Sequence, residues 1–378
     1  MPHLGTAAGG GVLLSWLAPE AVSGVGEGPG NRQEQVLKVV RYRADEGFGV
    51  PSVVARGSDF FVNWADFPSV VEVGPGRWVA HWLQRGDQGG YDYGIRVATS
   101  QDAGATWSTP WTPHEDGTPT EHGFVTVWGD GEGGWELVWL DGRRYADGPD
   151  GPATREMTLR SRHVTAGDDR GPETLLDPRT CDWCQTDVAV TRGGPVVVYR
   201  DRSEEEVRDI YLSRRVQGVW TEGLPVHEDG WVIEGCPVNG PAVDAVGDTL
   251  AVAWFTAPRE EPRVLLAFSP DGGETFGGPV RVDDGRPTGR TDVVATPDGS
   301  AVVLWLEDTG NGDGELRIRR VHAGGSVGIS RTVTETRSIR ASGFPQLAAL
   351  GDGSFLVAWT SVSPEGTTEL RTARVELP

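Results

Sequence analysis

The chain is 378 residues long and carries 55 acidic against 34 basic residues, a formal charge of −21 at pH 7. A surface this negative repels nucleic-acid phosphates and anionic membranes, and no apolar stretch approaches the roughly 18 residues of a membrane helix, so neither partner is expected. The 54 Gly and 26 Pro make it turn-rich, and its length suits either two ordinary domains or one large all-β domain.

From the start, MPHLGTAAGG has no basic segment, and GVLLSWLAP is short for an apolar signal core plus a cleavage site, which makes the cytoplasm the expected compartment. The apolar runs that follow are short, rich in Val, Leu, Ala and Trp, and bounded by glycine or Asp-Gly, the pattern of strands rather than helices. One unit recurs: glycine, then an apolar run closing on an aromatic. It reads GGVLLSW to Trp16, GRWVAHW to Trp82, GWELVW to Trp139, GGPVVVY to Tyr199, GDTLAVAW to Trp254, GSAVVLW to Trp305 and GSFLVAW to Trp359, at intervals of about 50 to 66 residues. A short run precedes the glycine turn, as TDVAV precedes GGPVVVY. A third run follows, as in GIRVATS, IYLSRRV, RVLLAFS and ELRIRRV, and a fourth, such as PVRVDD, closes most units but not the last. Four antiparallel strands repeated radially predict an all-β fold, a β-propeller over residues 1–378 as a single domain, with seven blades by count. The aromatic ends of the runs, and His81 inside one of them, are expected in the core.

Two stretches, SQDAGATW (100–107) and SPDGGETF (269–276), fit Ser-x-Asp-x-Gly-x-Thr-aromatic. Here the aspartate can accept backbone N–H bonds in a tight turn, the glycine permits φ > 0, and the aromatic packs between sheets. This Asp box resembles that of the sialidase (BNR-repeat) superfamily of propellers. The resemblance implies a turn between third and fourth strands, on the face away from the usual active site, and six blades as the alternative to seven; it speaks to fold more than chemistry. The stretches PTEHGF, CDWCQTDVAV, VVYRDRSEEEVRDIY and GCPVNGPAV further resemble an uncharacterised bacterial group of sialidase-like propellers, in which a third cysteine often stands where this chain has Trp183.

The repeat also places residues. In a propeller the innermost strand of each blade starts at one mouth of the central channel, and the loops between second and third strands end there too. The segments leading into innermost strands are PHLGT, NWADFPSV, TEHGFVTV, CDWCQTDVAV, CPVNGPAV, GRTDVVA and ASGFPQLA. All three cysteines, Cys181, Cys184 and Cys236, therefore belong at one mouth on adjacent blades, with His122 one blade earlier. His3, Trp64, Asp66, Asp187, Asn239, Arg290 and Asp292 are expected to rim the same opening, joined by Arg143, Arg144, Tyr145, Arg200, Asp201 and Arg202 from the loops.

Three thiolates with His122 as fourth ligand would suit zinc, and two or three without it Cu(I); a Cys181–Cys184 disulfide or inert buried thiols are the plainer readings. The leading expectation is a copper-dependent oxidoreductase acting, as a monomer, on a small, often anionic molecule. Cys181, Cys184 and Cys236 would hold the metal, with His122 as ligand or base. Asp66, Asp187 and Asp201 are candidate acid–base groups, and Trp64, Arg200, Arg202, Arg290 and Asn239 candidate substrate contacts. A sialidase-type glycosidase is the first rival. It needs an arginine clamp for a carboxylate, for which Arg200, Arg202, Arg290 and Arg340 are candidates, but no tyrosine shows a clear Glu partner and YRDRSEEEVRD also reads as a solvated, salt-bridged loop. The second rival is a binding propeller for carbohydrate or protein, in which Trp64, Trp183 and Trp231 would stack on a ligand.

Overall fold

The computed structural model describes residues 1–7, 11–20, 33–148 and 151–377; Gly10, a glycine of the first repeat, lies outside them. Seven antiparallel sheets follow one another along the chain. Their innermost strands are Pro2–Ala7, Ser69–Gly74, His122–Gly129, Asp187–Thr191, Ala242–Val246, Pro287–Ala295 and Gln346–Ala349. These strands touch each other in that order, and the last touches the first, so the sheets close into a seven-bladed β-propeller. The count of seven holds and the six-bladed alternative falls. Five blades have four or five strands; the second and seventh have three. In the second blade the fourth strand is reduced to a single bridge, Val97 with Trp111, and among the described residues the seventh has no fourth strand, as its sequence implied.

Each glycine-to-aromatic run is a second strand: Gly11–Pro19, Arg77–Arg85, Trp135–Asp141, Gly194–Arg200, Thr249–Thr256, Ala301–Gly310 and Ser354–Val362. These runs are continuously apolar rather than alternating because a neighbouring blade covers each face. The buried clusters accordingly lie between blades: Val79, Leu83 and Ile95 pack on Leu137 and Trp139, and Ala251 and Phe255 on Val303 and Trp305. Ring closure uses the same contact, Leu4, Val12 and Leu14 of the first blade meeting Ala348, Leu356 and Ala358 of the last. Each of these two blades is one contiguous stretch of chain, so hydrophobic packing rather than a shared sheet holds the seam. His81 is a core histidine, bonded to Ser69 Oγ at 2.8 Å.

Both Asp boxes form the same turn after a third strand. In each, Ser100 or Ser269 receives the N–H of Gly104 or Gly273 at 2.8 Å, and Asp102 or Asp271 accepts from the N–H and hydroxyl of Thr106 or Thr275. Gly104 and Gly273 have φ of 81° and 88°, which a side chain would strain.

Side chains at the centre fasten blade to blade. Asp187 accepts the N–H of Val243 at 2.8 Å, Asp244 that of Ala295 at 2.8 Å, and Asp292 that of Leu347 at 2.6 Å, each reaching to the next blade. The other oxygen of each carboxyl takes the N–H of the residue after it. They line a central channel of about 300 Å³. Although they face this space, desolvation pushes Asp187 up to about 7, Asp244 to about 6 and Asp292 well above the usual carboxylate range, with the neighbouring carboxyls adding to the rise at Asp187 and Asp292.

A carboxyl whose folded-state value is raised favours the fold below its unfolded value near 4, and that contribution is lost as pH rises through 6 to 7. Thermal or urea unfolding should therefore show stability falling between pH 4 and pH 8. Asp187→Asn should make that decline shallower by on the order of 1–3 kcal/mol. A variant whose pH slope matched wild type would show that Asp187 does not titrate in this window.

Candidate functional site

The three thiols meet at the mouth as their place in the repeat implied. Cys181 and Cys184 stand in the loop between the outer strand Arg170–Thr180 of the third blade and the innermost strand of the fourth; Cys236 precedes the innermost strand of the fifth. Cys181 Sγ lies 3.2 Å from both Cys184 Sγ and Cys236 Sγ, and the last two are 3.5 Å apart. All three are free thiols, the first two buried. The loop is pinned by the Cys181 N–H on the Arg200 carbonyl at 3.0 Å. Donors aim at the sulfurs: Arg208 Nη1 lies 3.2 Å from Cys181 Sγ, and the N–H groups of Trp183 and Val238 lie 3.3 and 3.4 Å from Cys236 Sγ. Burial alone would push the Cys181 thiol up, but hydrogen bonds from Cys184 and Cys236 and the charges of Arg208 and Arg200 hold it well below the usual range. Burial pushes Cys184 and Cys236 up.

His122 does not join them, a correction to its expected role as ligand. Its ring is used up within the third blade and the loop before it: Nδ1 meets the Thr120 carbonyl at 3.1 Å and Nε2 the Asp116 carboxylate at 3.0 Å. It stacks on His114 at 3.8 Å. Arg143 completes this ionic cluster, clamping Asp141 through Nε and Nη2 at 2.7 Å each and reaching Glu173 at 2.7 Å. Burial lowers His122, but the hydrogen bond to Asp116 and the charge of Asp141 raise it overall, which suits an imidazolium between two carboxylates. His114, Asp116 and His122 do offer atoms close enough for a metal, yet the Arg143 guanidinium stands 3.4 Å from Asp116 and already supplies the positive charge there. A one-dimensional repeat assigns His122 to the right end of the right blade, but not to its azimuth.

Most of the expected substrate contacts turn out to hold backbone. Arg200 is 1% exposed and donates to the carbonyls of Asn239, Arg208 and Phe255. Arg290 donates to the carbonyls of Ile339 and Gly343, and burial lowers it to about 10. Arg200 thus has no donor pair to offer a carboxylate, whereas both Arg290 bonds leave from Nη1 alone. Asn239 accepts the N–H of Arg290 at 2.7 Å, and Asp66 accepts that of Phe124 at 2.9 Å. These bonds are equivalent: Arg290 and Phe124 both have φ near 55°, an unusual conformation for bulky residues, and a side chain of the preceding blade secures each. Asp66 also takes the Tyr93 hydroxyl, and burial raises it to about 7. Gln185 spans the mouth, giving Nε2 to the Ala65 carbonyl at 2.7 Å and accepting the Gly240 N–H at 3.0 Å. His3 lines the channel, held at about 4 by burial.

Asp201 sits to the side, raised to about 7 by burial and by Asp177. Arg202 grips Glu206 through Nε and Nη2 and stands 3.7 Å from Asp182. The tip of the charged loop is thus the salt-bridged turn its composition suggested, with Glu204 and Glu205 exposed. Trp64 stacks on Phe344 at 5.9 Å beneath Arg290 and Arg340. Trp231 is buried edge-on against Phe255 and under Arg200, a packing residue.

Beside the thiols, Trp183 and Tyr145, both expected at this mouth, meet three groups that sequence reasoning missed: Glu121, Asp182 and Tyr91. Trp183 gives its indole N–H to Glu121 at 2.7 Å and stacks at 5.8 Å on Tyr91, which is 59% exposed. Tyr145 donates its hydroxyl to Asp182 at 2.5 Å; like Tyr93 with Asp66 and Tyr199 with Asp177, its carboxylate partner is an Asp rather than a Glu. Burial raises Glu121 to about 7, with the charges of Asp182 and Asp66 adding to the rise against the Trp183 bond. Glu121 lies next to His122 in a segment already assigned to this mouth; Asp182 sits between the cysteines.

No family model matches this chain, and no curated protein matches it in sequence. Solved structures do. A lectin from Burkholderia pseudomallei superposes with a TM-score of 0.62 at 12% identity, covering 91% of this chain and 92% of its own. An ulvan lyase, a polysaccharide lyase bound to a glucuronate–sulfated rhamnose unit, gives 0.60 at 14% identity over 98% and 91%. An α-L-arabinofuranosidase from Fusarium graminearum gives 0.50 at 15% identity over 99% and 91%. At these identities the likeness is one of fold: the chain is a seven-bladed propeller.

Proposed function

We propose that this propeller is a glycosidase of the sialidase-like kind that cleaves a neutral sugar at the sector of its mouth formed by Glu121, Asp182, Tyr145, Trp183 and Tyr91. One observation carries the reading. Glu121 is a carboxyl raised to about 7 that stands beside a second carboxylate, Asp182, under a stacked pair of aromatics. Glycoside cleavage asks for this division: one carboxyl still protonated near neutral pH to give its proton to the leaving oxygen, another to face the positive charge that develops on the ring. The Tyr145 hydroxyl, with Arg202 and Arg208 at 3.7 and 3.6 Å, orients Asp182 for the second role. Tyr91 and Trp183 offer a flat apolar surface of the type on which sugar rings stack. The lectin, lyase and arabinofuranosidase that share the architecture support carbohydrate as the ligand class.

The choice of a neutral sugar follows from the arginines. A sialidase clamp needs guanidinium groups free to grip a carboxylate. On the loop beside Asp182, Arg200 spends its donors on carbonyls, Arg202 is engaged by Glu206, and Arg208 by Glu206 and Cys181. The copper-oxidoreductase expectation rests on the thiols alone, whereas the acid pair and the related propellers favour sugar chemistry.

Wild-type protein should release sugar from neutral alkyl glycosides, with kcat/KM falling as pH rises through about 7 because Glu121 then loses the proton it must donate. Glu121→Gln should lower kcat on alkyl glycosides by about 10²- to 10⁴-fold, and far less on nitrophenyl glycosides, whose leaving group needs no proton. Binding of sugars without turnover of any would replace this reading with that of a lectin. On the substrate side, sialosides should be left uncut. Their hydrolysis, abolished by Arg200→Ala in a protein that still folds, would instead restore an arginine clamp.

A further inference from the structure

The glycosidase reading leaves the sulfur triangle unused. We propose that Cys181, Cys184 and Cys236 form a three-thiolate site for Cu(I), whose ligands are separate from the sugar-cleaving carboxyls.

The chain's only three thiols come from loops more than 50 residues apart, yet their sulfurs are mutually 3.2, 3.2 and 3.5 Å apart. That is well beyond the roughly 2.05 Å of a disulfide, and an odd number of thiols would leave one unpaired in any case. It is close to what a shared ion needs: with metal–sulfur contacts of about 2.3 Å, trigonal geometry sets sulfurs about 4.0 Å apart, so the triangle must open by about 0.5 to 0.8 Å.

The surroundings are those of a thiolate centre rather than of buried hydrophobic cysteines. The Arg208 guanidinium, 2% exposed in its side chain, lies with Nη1 3.2 Å from Cys181 Sγ, while Glu206 at 2.8 Å fixes its other end. Two main-chain N–H groups, those of Trp183 and Val238, point at Cys236 Sγ. Val238 holds that position with φ of 51°, a strained conformation for a β-branched residue. Neutral thiols gain little from such donors; thiolates bound to a metal are oriented and partly neutralised by them.

The donor set selects the metal. Among the described residues no histidine or carboxylate lies close enough to complete the cysteine group, and His122 belongs to another cluster. Zinc seeks four ligands, whereas a soft monovalent ion is satisfied by three thiolates. Arg208 on Cys181 offsets part of the excess negative charge.

The test is titration of reduced, full-length protein with Cu(I) held by bicinchoninate, and in parallel with Zn(II) held by a chelator of matched strength, followed by X-ray absorption at the copper edge. One Cu(I) per chain should be taken up, with a first shell of sulfur only. Cys236→Ser should weaken uptake by more than the roughly 10- to 100-fold that loss of an outer partner costs, and Arg208→Gln by about that smaller factor. Circular dichroism reports whether the variants fold, and the absorption spectrum of wild type decides the matter if they do not. Failure of wild type to take up stoichiometric Cu(I), a first shell containing nitrogen, or preference for Zn(II) would overturn the proposal. None of these readouts depends on turnover of a glycoside, so the two readings stand or fall separately.

Discussion

The structure depends on one recurring interaction: a polar side chain on or just before an innermost strand that captures a backbone N–H of a later blade. Asp66, Gln185 and Asn239 do this at the mouth, and Asp187, Asp244 and Asp292 within the channel. Innermost strands of different blades share no ladder, so their N–H groups would otherwise face the channel unpaired, at a cost of about 1–3 kcal/mol for each buried donor. Meeting that requirement fixes the axial register of one blade against the next. Register is what lets loops distant in sequence finish at the same height, and the sulfur triangle exists only because two such loops do.

The same constraint explains why so many polar groups near the axis are unavailable for chemistry. Arg200 and Arg208 make the contrast clear. They flank one short loop, and both are buried, yet Arg200 is surrounded by carbonyl oxygens while Arg208 ends on a sulfur and on two carboxylate-bearing residues. The first holds backbone at the junction of blades; the second supplies charge to a site. Burial and charge do not distinguish them. The nature of the acceptors does: carbonyls mark a structural arginine, anions mark one whose charge is needed locally.

Blade number, the role of each glycine-led run and the height of the cysteines were legible in the sequence because each follows from phase along a radial repeat. Cys236 could be assigned to the same mouth as Cys181 without any knowledge of packing. What phase cannot supply is direction around and away from the axis. His122 shares the height of the thiols but turns toward Asp116, and the Asp66 and Asn239 side chains turn toward backbone of the next blade. Glu121 was hidden for a related reason: its raised value comes from burial and from Asp182 and Asp66, one blade to either side, a tertiary effect with no local signature. Tyr145 and Asp182 are 37 residues apart and meet only where consecutive blades do.

Trp183 ties the two halves of the mouth together. Its backbone N–H rests on Cys236 Sγ and its indole N–H on Glu121, and the ring between them carries the stack with Tyr91. It is therefore a shared neighbour of the thiols and of Glu121, and its indole bond is the one that opposes the rise of Glu121. Tryptophan suits this position because it spans the distance with only two rotatable bonds and brings its own donor. A third cysteine in its place would add a thiol but remove the span, the stacking face and the donor to Glu121. The substitution therefore bears on the carboxyl pair as much as on the thiols.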